Sequence, residues 1–157
     1  MPERRDLQFE SWAEVLDDLT ALESGYERVG KWGLDQTVRH LNDWLTYPMD
    51  GFPTPPFFLR FIFGVIRNTL GPGMLRRILD EGKMKDGMPT ASDTVYQLDE
   101  SALSTSLESL RGNIARFQSH SGTIHPSTIF GAMNKATAEH LQFVHFAHHL
   151  SWLVPTS

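Results

Sequence analysis

The sequence TAEHLQFVHFAHHLSWL, residues 137–153, decides the fold class of this chain. Most of its apolar side chains lie three or four residues from another one, which is the spacing of one face of an α-helix. They are Leu141, Phe143, Val144, Phe146, Leu150, Trp152 and Leu153. Pro155 lies just beyond the last of them, where a helix can no longer continue. The stretch therefore predicts a C-terminal helix with one face in a hydrophobic core.

Five earlier segments also have the features of helices, and no segment shows the alternation typical of a half-buried strand. They cover residues 6–22, 34–47, 57–70, 74–81 and 99–117. Pro48 predicts the end of the second segment, because proline cannot continue the hydrogen-bond ladder of a helix. Four main helices and additional short ones predict an all-α protein, a helical bundle.

Two loops are longer than the connections usual in helical bundles. Residues 48–56 contain four prolines and a glycine, and residues 82–98 are polar and include Gly87 and Pro89. Long loops in compact domains tend to have a function. We therefore expect these loops to be functional or to cover a site.

The composition is that of one globular domain, residues 1–157, with 40% apolar and 21% charged residues. The formal net charge of −5 predicts no nucleic-acid partner, because nucleic-acid binding needs a basic surface. The sequence contains no cysteine, which excludes disulfides, thiolate zinc fingers, iron–sulfur clusters and cysteine nucleophiles. A metal site in this chain must use histidine, aspartate, glutamate or backbone oxygen.

The longest apolar run, residues 57–66, includes Arg60 and is shorter than the roughly 20 residues of a spanning helix. We interpret it as a core helix and expect no membrane partner. Residues 1–6 are polar and charged, with no apolar region behind them, so no secretory signal is visible. A cytoplasmic location is the resulting expectation.

The spacing of the histidines indicates a metal site. His145 and His149 are four residues apart, so their side chains lie about 40° apart on one helical face. Two imidazoles so placed can bind one metal ion. His148, three residues after His145, could replace His149 as the partner. An ordinary hydrogen-bonding role stays open for each of them, as it does for His40 in the second predicted helix.

Three motifs resemble the DinB-like superfamily of four-helix bundles. The runs KWGLDQ at 31–36 and VRHL at 38–41 resemble the signature of its second helix. The run HFAHHL at 145–150 resembles the second half of its three-histidine site, and HPSTIFG at 125–131 resembles a motif of a branch of unknown function. The resemblance follows the order of elements along the chain. It implies an up-down four-helix bundle with additional short helices and long loops.

The resemblance also implies a metal site and a class of reaction. In the superfamily, one histidine of the second helix and an H-x-x-x-H pair of the last helix bind a divalent metal ion, commonly zinc or nickel. Carried over to this sequence, these ligands are His40, His145 and His149. Members of known activity include transferases and isomerases in which the metal lowers the pKa of a low-molecular-weight thiol. The implied cofactors are therefore zinc or nickel together with such a thiol.

Three neutral imidazoles leave at least one coordination position open, which is typical of a catalytic metal site. The metal could then activate a bound water molecule or hold a thiolate. The spacing makes Gln36, Asp43 and Gln142 candidates for hydrogen bonds to the histidines, with capping or solvated roles as alternatives. Candidates for a general acid or base are Asp50, Asp86 and His125, the last of which could equally anchor its loop.

Two further groups of side chains have an ordinary interpretation beside a functional one. The aromatic residues Trp32, Trp44, Phe57, Phe58, Phe61 and Phe63 could wall a substrate cleft, but we interpret them as core. The basic residues Arg76, Arg77, Lys83 and Lys85 could bind an anionic thiol cofactor, and a solvated helix end explains them as well.

The leading hypothesis is a metal-binding bundle that acts on a small-molecule substrate as a thiol S-transferase or a hydrolase. The alternative is a non-catalytic bundle with structural histidines that dimerises or binds a partner protein. An exposed apolar helix would make a homodimer unsurprising. Whether the chain is an enzyme stays open at this point.

Overall fold

The computed structural model describes residues 1–88 and 90–156. Pro89, in the predicted loop 82–98, and Ser157, at the end of the predicted domain, lie outside the described residues. The described chain is mostly helical, in agreement with the expected all-α class. Its helices are α1 (Trp12–Ser24), α2 (Leu34–Asp50), α3 (Phe57–Asn68), α4 (Gly71–Glu81), α5 (Leu103–Ser119) and α6 (Lys135–Leu150). Short 3₁₀ turns cover Ser92–Thr94 and Glu100–Ala102, and β1 (Tyr26–Arg28) and β2 (Leu153–Pro155) form a small sheet.

One hydrophobic core joins α1, α2, α5 and α6. Its fully buried side chains include one from each helix: Leu19, Leu41, Ile114 and Phe146. α2 packs most extensively against α5 and also packs against α6. Burial of apolar surface contributes about 25 cal/mol per Å² and is the main source of stability here. The contact between α2 and α6 brings the histidine-bearing helices together.

α1 begins at Trp12, later than the predicted start at residue 6. Ser11 is the N-cap residue, and its hydroxyl oxygen accepts a hydrogen bond from Glu14 N at 3.3 Å. The Glu14 carboxylate in turn accepts from Ser11 N at 3.2 Å. Such a capping box satisfies N–H groups that have no partner within the helix. It fixes the start of α1, although Leu7 also fits the helical spacing.

Pro48 lies inside α2 and does not end the helix, contrary to the prediction. A proline leaves the carbonyl oxygen four residues earlier without its usual N–H partner. That oxygen belongs to Trp44, and Gln142 Nε2 on α6 donates to it at 3.0 Å. The side chain of Gln142 thus replaces the missing backbone donor, and α2 continues to Asp50.

The C-terminal helix is shorter than predicted because the chain changes into a strand. α6 ends at Leu150, and Leu153 begins β2, which pairs antiparallel with β1. Leu153 is paired with Arg28, and Val29 N donates to Trp152 O at 2.9 Å. Each strand has three residues, which is too short for an alternating pattern to be visible in the sequence.

α3 is not the core helix that its apolar sequence predicted. No residue of α3 is buried, and Phe57, Phe58 and Phe61 are exposed while Phe63 is half-buried. α3 packs mainly against α4, which in turn packs against α6. The apolar face of α3 therefore lies outside the core. Among the described residues, no helix is long and apolar enough to cross a membrane.

Candidate metal centre

Three histidines from two helices form one cluster. His40 lies on α2, and His145 and His149 lie one turn apart on α6. Nε2 of His40 is 3.2 Å from Nε2 of His145. One ring nitrogen from each of the three side chains lies within 4.8 Å of the other two. His40 is buried, and the other two are half-buried. The three histidines that the sequence singled out therefore meet in one place.

The spacing of these nitrogens fits a shared metal ion. Two imidazole nitrogens bound to zinc at ~2.0–2.1 Å in tetrahedral geometry lie roughly 3.3 Å apart. The separation between His40 and His145 is close to that value at 3.2 Å. The cluster can therefore hold a divalent metal ion, with one position left for a ligand.

His40 is held by a backbone carbonyl that the sequence did not indicate. Its Nδ1 lies 3.1 Å from the oxygen of Thr94, in the 3₁₀ turn Ser92–Thr94, and Thr94 is fully buried. A carbonyl oxygen can only accept, so Nδ1 carries the proton and Nε2 presents its lone pair to the cluster. No side-chain type marks a backbone acceptor, and only the unusual length of the loop could have suggested this contact.

The three polar residues predicted to hydrogen-bond the histidines have other partners. Asp43 accepts from the Tyr96 hydroxyl at 2.6 Å. Gln36 Nε2 donates to Tyr96 O at 2.8 Å, and Gln142 donates to the backbone of α2. Among the described residues, none of the three bonds to an imidazole. Asp43 and Gln36 instead hold the loop 82–98 against α2, and this loop supplies the carbonyl that orients His40.

Burial keeps the three imidazoles neutral at physiological pH. It lowers the pKa of His40 to about 4, although the hydrogen bond to Thr94 O acts in the opposite direction. Burial and the neighbouring histidines lower the pKa of His145 and of His149 well below the usual value. A metal ion binds the neutral form of imidazole. No proton therefore has to leave these rings before an ion can bind.

Two tryptophans pack on the histidine cluster. The ring of Trp32 is stacked on His149, with centroids 5.4 Å apart and planes 4° from parallel. Trp44 lies 6.0 Å from His145, centroid to centroid, in an edge-on arrangement. The interpretation of these two tryptophans as core residues is wrong, because both line a cavity beside the histidines.

This cavity has a volume of about 720 Å³, which suits a small-molecule ligand. Both predicted long loops, 48–56 and 82–98, contribute to its wall, and so does residue segment 125–133. Its large apolar side chains include Trp32, Trp44, Phe52, Met84, Met88, Phe130, Met133 and Trp152. The loop members of this set were missed because an apolar side chain in a loop belongs to no periodic pattern.

Nearly the whole chain matches one protein family. The sequence model of the family described as "Protein of unknown function (DUF1569)" matches residues 1–156. The chain belongs to this family. No curated protein and no solved structure matches it. The description of the DUF1569 family assigns no activity, so the function of this member has to be inferred from the geometry of its site.

His148 lies beside the cluster of this DUF1569 chain and not in it. Its Nδ1 is 3.4 Å from Arg4 Nη2 and 3.9 Å from a carboxylate oxygen of Asp86. Arg4 and Asp86 form an ion pair at 2.8 Å. The structure thus brings His149, rather than His148, together with His40. His148 and Asp86 both line the cavity, so the carboxylate of this ion pair lies at the cavity wall.

Two of the three candidate acid–base groups, Asp86 and His125, line the cavity. Asp50 is not among its lining residues and pairs with Arg116. The hydrogen bond from Arg116 lowers the pKa of Asp50, so this carboxylate is a charged surface group. The part in proton transfer suggested for Asp50 has no support in the structure.

The four basic residues that the sequence grouped together are separated in the structure. Lys85 lines the cavity. Arg77 instead pairs with Glu81 at 2.8 Å, and Lys83 pairs with Asp6 at 3.2 Å. Among these four residues, Lys85 is therefore the cation that an anionic group in the cavity can reach.

Proposed function

We propose that this chain is a metal-dependent enzyme in which His40, His145 and His149 bind a divalent metal ion, zinc or nickel. One observation carries the proposal: three neutral imidazoles from two helices meet at the wall of an open cavity. A purely structural zinc site is normally closed by a fourth protein ligand. Within the described residues, no fourth histidine, aspartate or glutamate joins the group. The open position therefore supports a catalytic site.

The proposal includes the DinB-like up-down four-helix bundle. α1, α2, α5 and α6 share the core, and α3 and α4 would be the additional short helices. In the superfamily, the metal ligands come from the second and the last helix of the bundle. Here His40 lies on the second core helix, and the pair His145 and His149 lies on the last. This placement supports the assignment.

A bound metal ion would act as a Lewis acid that lowers the pKa of a thiol or a water molecule. The chain's own residues would position the reactants. The Thr94 carbonyl orients the ring of His40, and Trp32 packs on His149. The aromatic wall fits the apolar part of a small molecule, and Lys85 can pair with an anionic group. We propose a thiol S-transferase, with a low-molecular-weight thiol as cosubstrate, or a hydrolase.

Metal analysis of protein purified without a His-tag tests the site. We expect stoichiometric zinc or nickel in the wild-type protein and its loss in His40→Ala, because two imidazoles bind a metal ion far more weakly than three. His140→Ala is the matched control, since His140 lies on α6 but is exposed and outside the cluster. The proposal is contradicted if the wild-type protein contains no stoichiometric metal, or if His40→Ala retains all of it.

A substrate panel on the metal-loaded protein separates the two reaction types. Low-molecular-weight thiols paired with electrophiles report a transferase, and simple esters and amides report a hydrolase. In either case we expect the activity to disappear in His40→Ala and to persist in His140→Ala. Turnover that is equal in wild type and His40→Ala would exclude this site as its origin.

A specific observation also favours a second candidate function, a non-catalytic bundle with structural histidines. The distance of 3.2 Å between Nε2 of His40 and Nε2 of His145 also fits a hydrogen bond between two neutral imidazoles. The apolar surface of α3 would then serve for a homodimer or a partner protein. This candidate would be supported if the wild-type protein is purified without metal and if chelator treatment does not change its stability.

A further inference from the structure

α3 carries an apolar stripe that faces away from the protein. Its members recur at the positions i, i+1, i+4, i+5 and i+8, which place them on one side of the helix. They are Phe57, Phe58, Phe61, Ile62 and Val65, and all five are exposed. Phe57 and Phe61 are 81% and 79% exposed. Contiguous exposed apolar patches of this kind mark interaction sites.

The charge around this stripe is the opposite of the charge of the whole chain. Between Asp50 and Asp80 there are four arginines and no aspartate or glutamate, although the formal net charge of the protein is −5. The arginines are Arg60, Arg67, Arg76 and Arg77, and all are exposed. In the described part of the chain only Arg77 of these four forms an ion pair, with Glu81. The apolar stripe therefore belongs to a basic region.

We propose that α3 binds the surface of an anionic phospholipid bilayer. Helices that lie in the membrane interface combine a face of Phe, Leu and similar side chains with Lys or Arg on their other faces. With its twelve residues, α3 is about 18 Å long and would lie in the plane of the interface. The aromatic side chains of Phe57 and Phe61 would enter the boundary between headgroups and acyl chains. Arg60 and Arg67 would contact lipid phosphates.

The charge distribution favours a bilayer over a second copy of this chain. A symmetric dimer that buries α3 places the same surface of both copies face to face. Arg60 and Arg67 of each copy would then lie at the edge of that contact, and the segment 51–79 contains no carboxylate to balance them. An anionic bilayer supplies the missing negative charge. The proposal departs from the sequence-based expectation of no membrane partner. That expectation rested on the absence of a spanning length, which surface binding does not require.

Vesicle sedimentation tests the proposal. Purified protein is mixed with vesicles of phosphatidylcholine alone or with added phosphatidylserine. We expect binding to the anionic vesicles, weaker binding to the neutral ones, and weakening of the first by salt. Phe57→Ser/Phe61→Ser should lower the affinity for anionic vesicles about tenfold or more, because it removes most of the inserted apolar surface. Val95→Ser/Leu98→Ser, which removes two exposed apolar side chains elsewhere, should leave it unchanged.

Two further measurements keep the test decisive. Phe61→Trp retains an apolar side chain and should show a blue-shifted emission on anionic vesicles that the wild type lacks. Light scattering after size exclusion gives the oligomeric state, and far-ultraviolet circular dichroism shows that each variant is folded. The proposal is overturned if the wild type does not bind anionic vesicles or binds neutral ones equally well. It is also overturned by a dimer that the Phe57→Ser/Phe61→Ser change dissociates.

Discussion

The helix pair α2–α6 and the helix α3 both carry apolar residues, but the two regions differ in whether these residues are buried. Phe146 on α6 is fully buried, whereas Phe61 on α3 is 79% exposed. α6 and α3 both have apolar side chains at helical spacing. α6 packs against α1 and α2, and α3 packs mainly against α4. The comparison shows that amphipathic spacing specifies an apolar face but does not specify what covers it.

The largest expected effect tests this contrast directly. Phe146→Ala should lower the free energy of unfolding by about 3–5 kcal/mol, because it leaves a cavity in the shared core. Phe61→Ala, the same change on α3, should alter it by about 0.5 kcal/mol or less. Urea unfolding followed by circular dichroism measures both. Equal losses would mean that α3 is covered in solution, and the two regions would then not differ as described.

A change of pH should also distinguish the two regions. It can protonate the histidines of α2 and α6, whereas α3 contains no carboxyl or imidazole group. The pKa of His40 is about 4 in the folded chain and 6.5 in the reference state. Between these values the unfolded chain binds a proton that the folded chain does not, so stability is complete above pH 6.5 and falls as the pH falls toward 4. A shift of this size corresponds to about 3 kcal/mol for His40.

Urea unfolding of metal-stripped protein at about pH 7.5 and about pH 4.5 measures this effect. His40→Gln removes the titrating group, so the loss of stability between the two pH values should be smaller than in the wild type. His140→Gln replaces an exposed imidazole and should behave like the wild type. If His40→Gln and the wild type lose the same free energy, burial of His40 does not contribute to the pH dependence.

The sequence predicted the features of the fold that depend on neighbouring residues. Helical spacing located α2 and α6, and it placed His145 and His149 on one face of α6. The resemblance supplied His40 as the third member of the cluster. Contacts between distant segments were not predictable in the same way. A backbone oxygen such as that of Thr94 has no signature in the sequence, and the continuation of α2 past Pro48 depends on a side chain from another helix.

The hydrogen bond from Gln142 to the oxygen of Trp44 gives the smallest of the expected effects. It lies where α2 leads toward α3. Gln142→Leu leaves the oxygen of Trp44 without its donor and should cost about 1–2 kcal/mol. In a Pro48→Ala background, the N–H of residue 48 can donate to that oxygen, as in an ordinary helix. The cost of Gln142→Leu should therefore be smaller in that background, and a double-mutant cycle on unfolding free energies measures the difference. Strictly additive losses would show that Gln142 does not compensate for the proline. α2 would then continue past Pro48 because of packing alone.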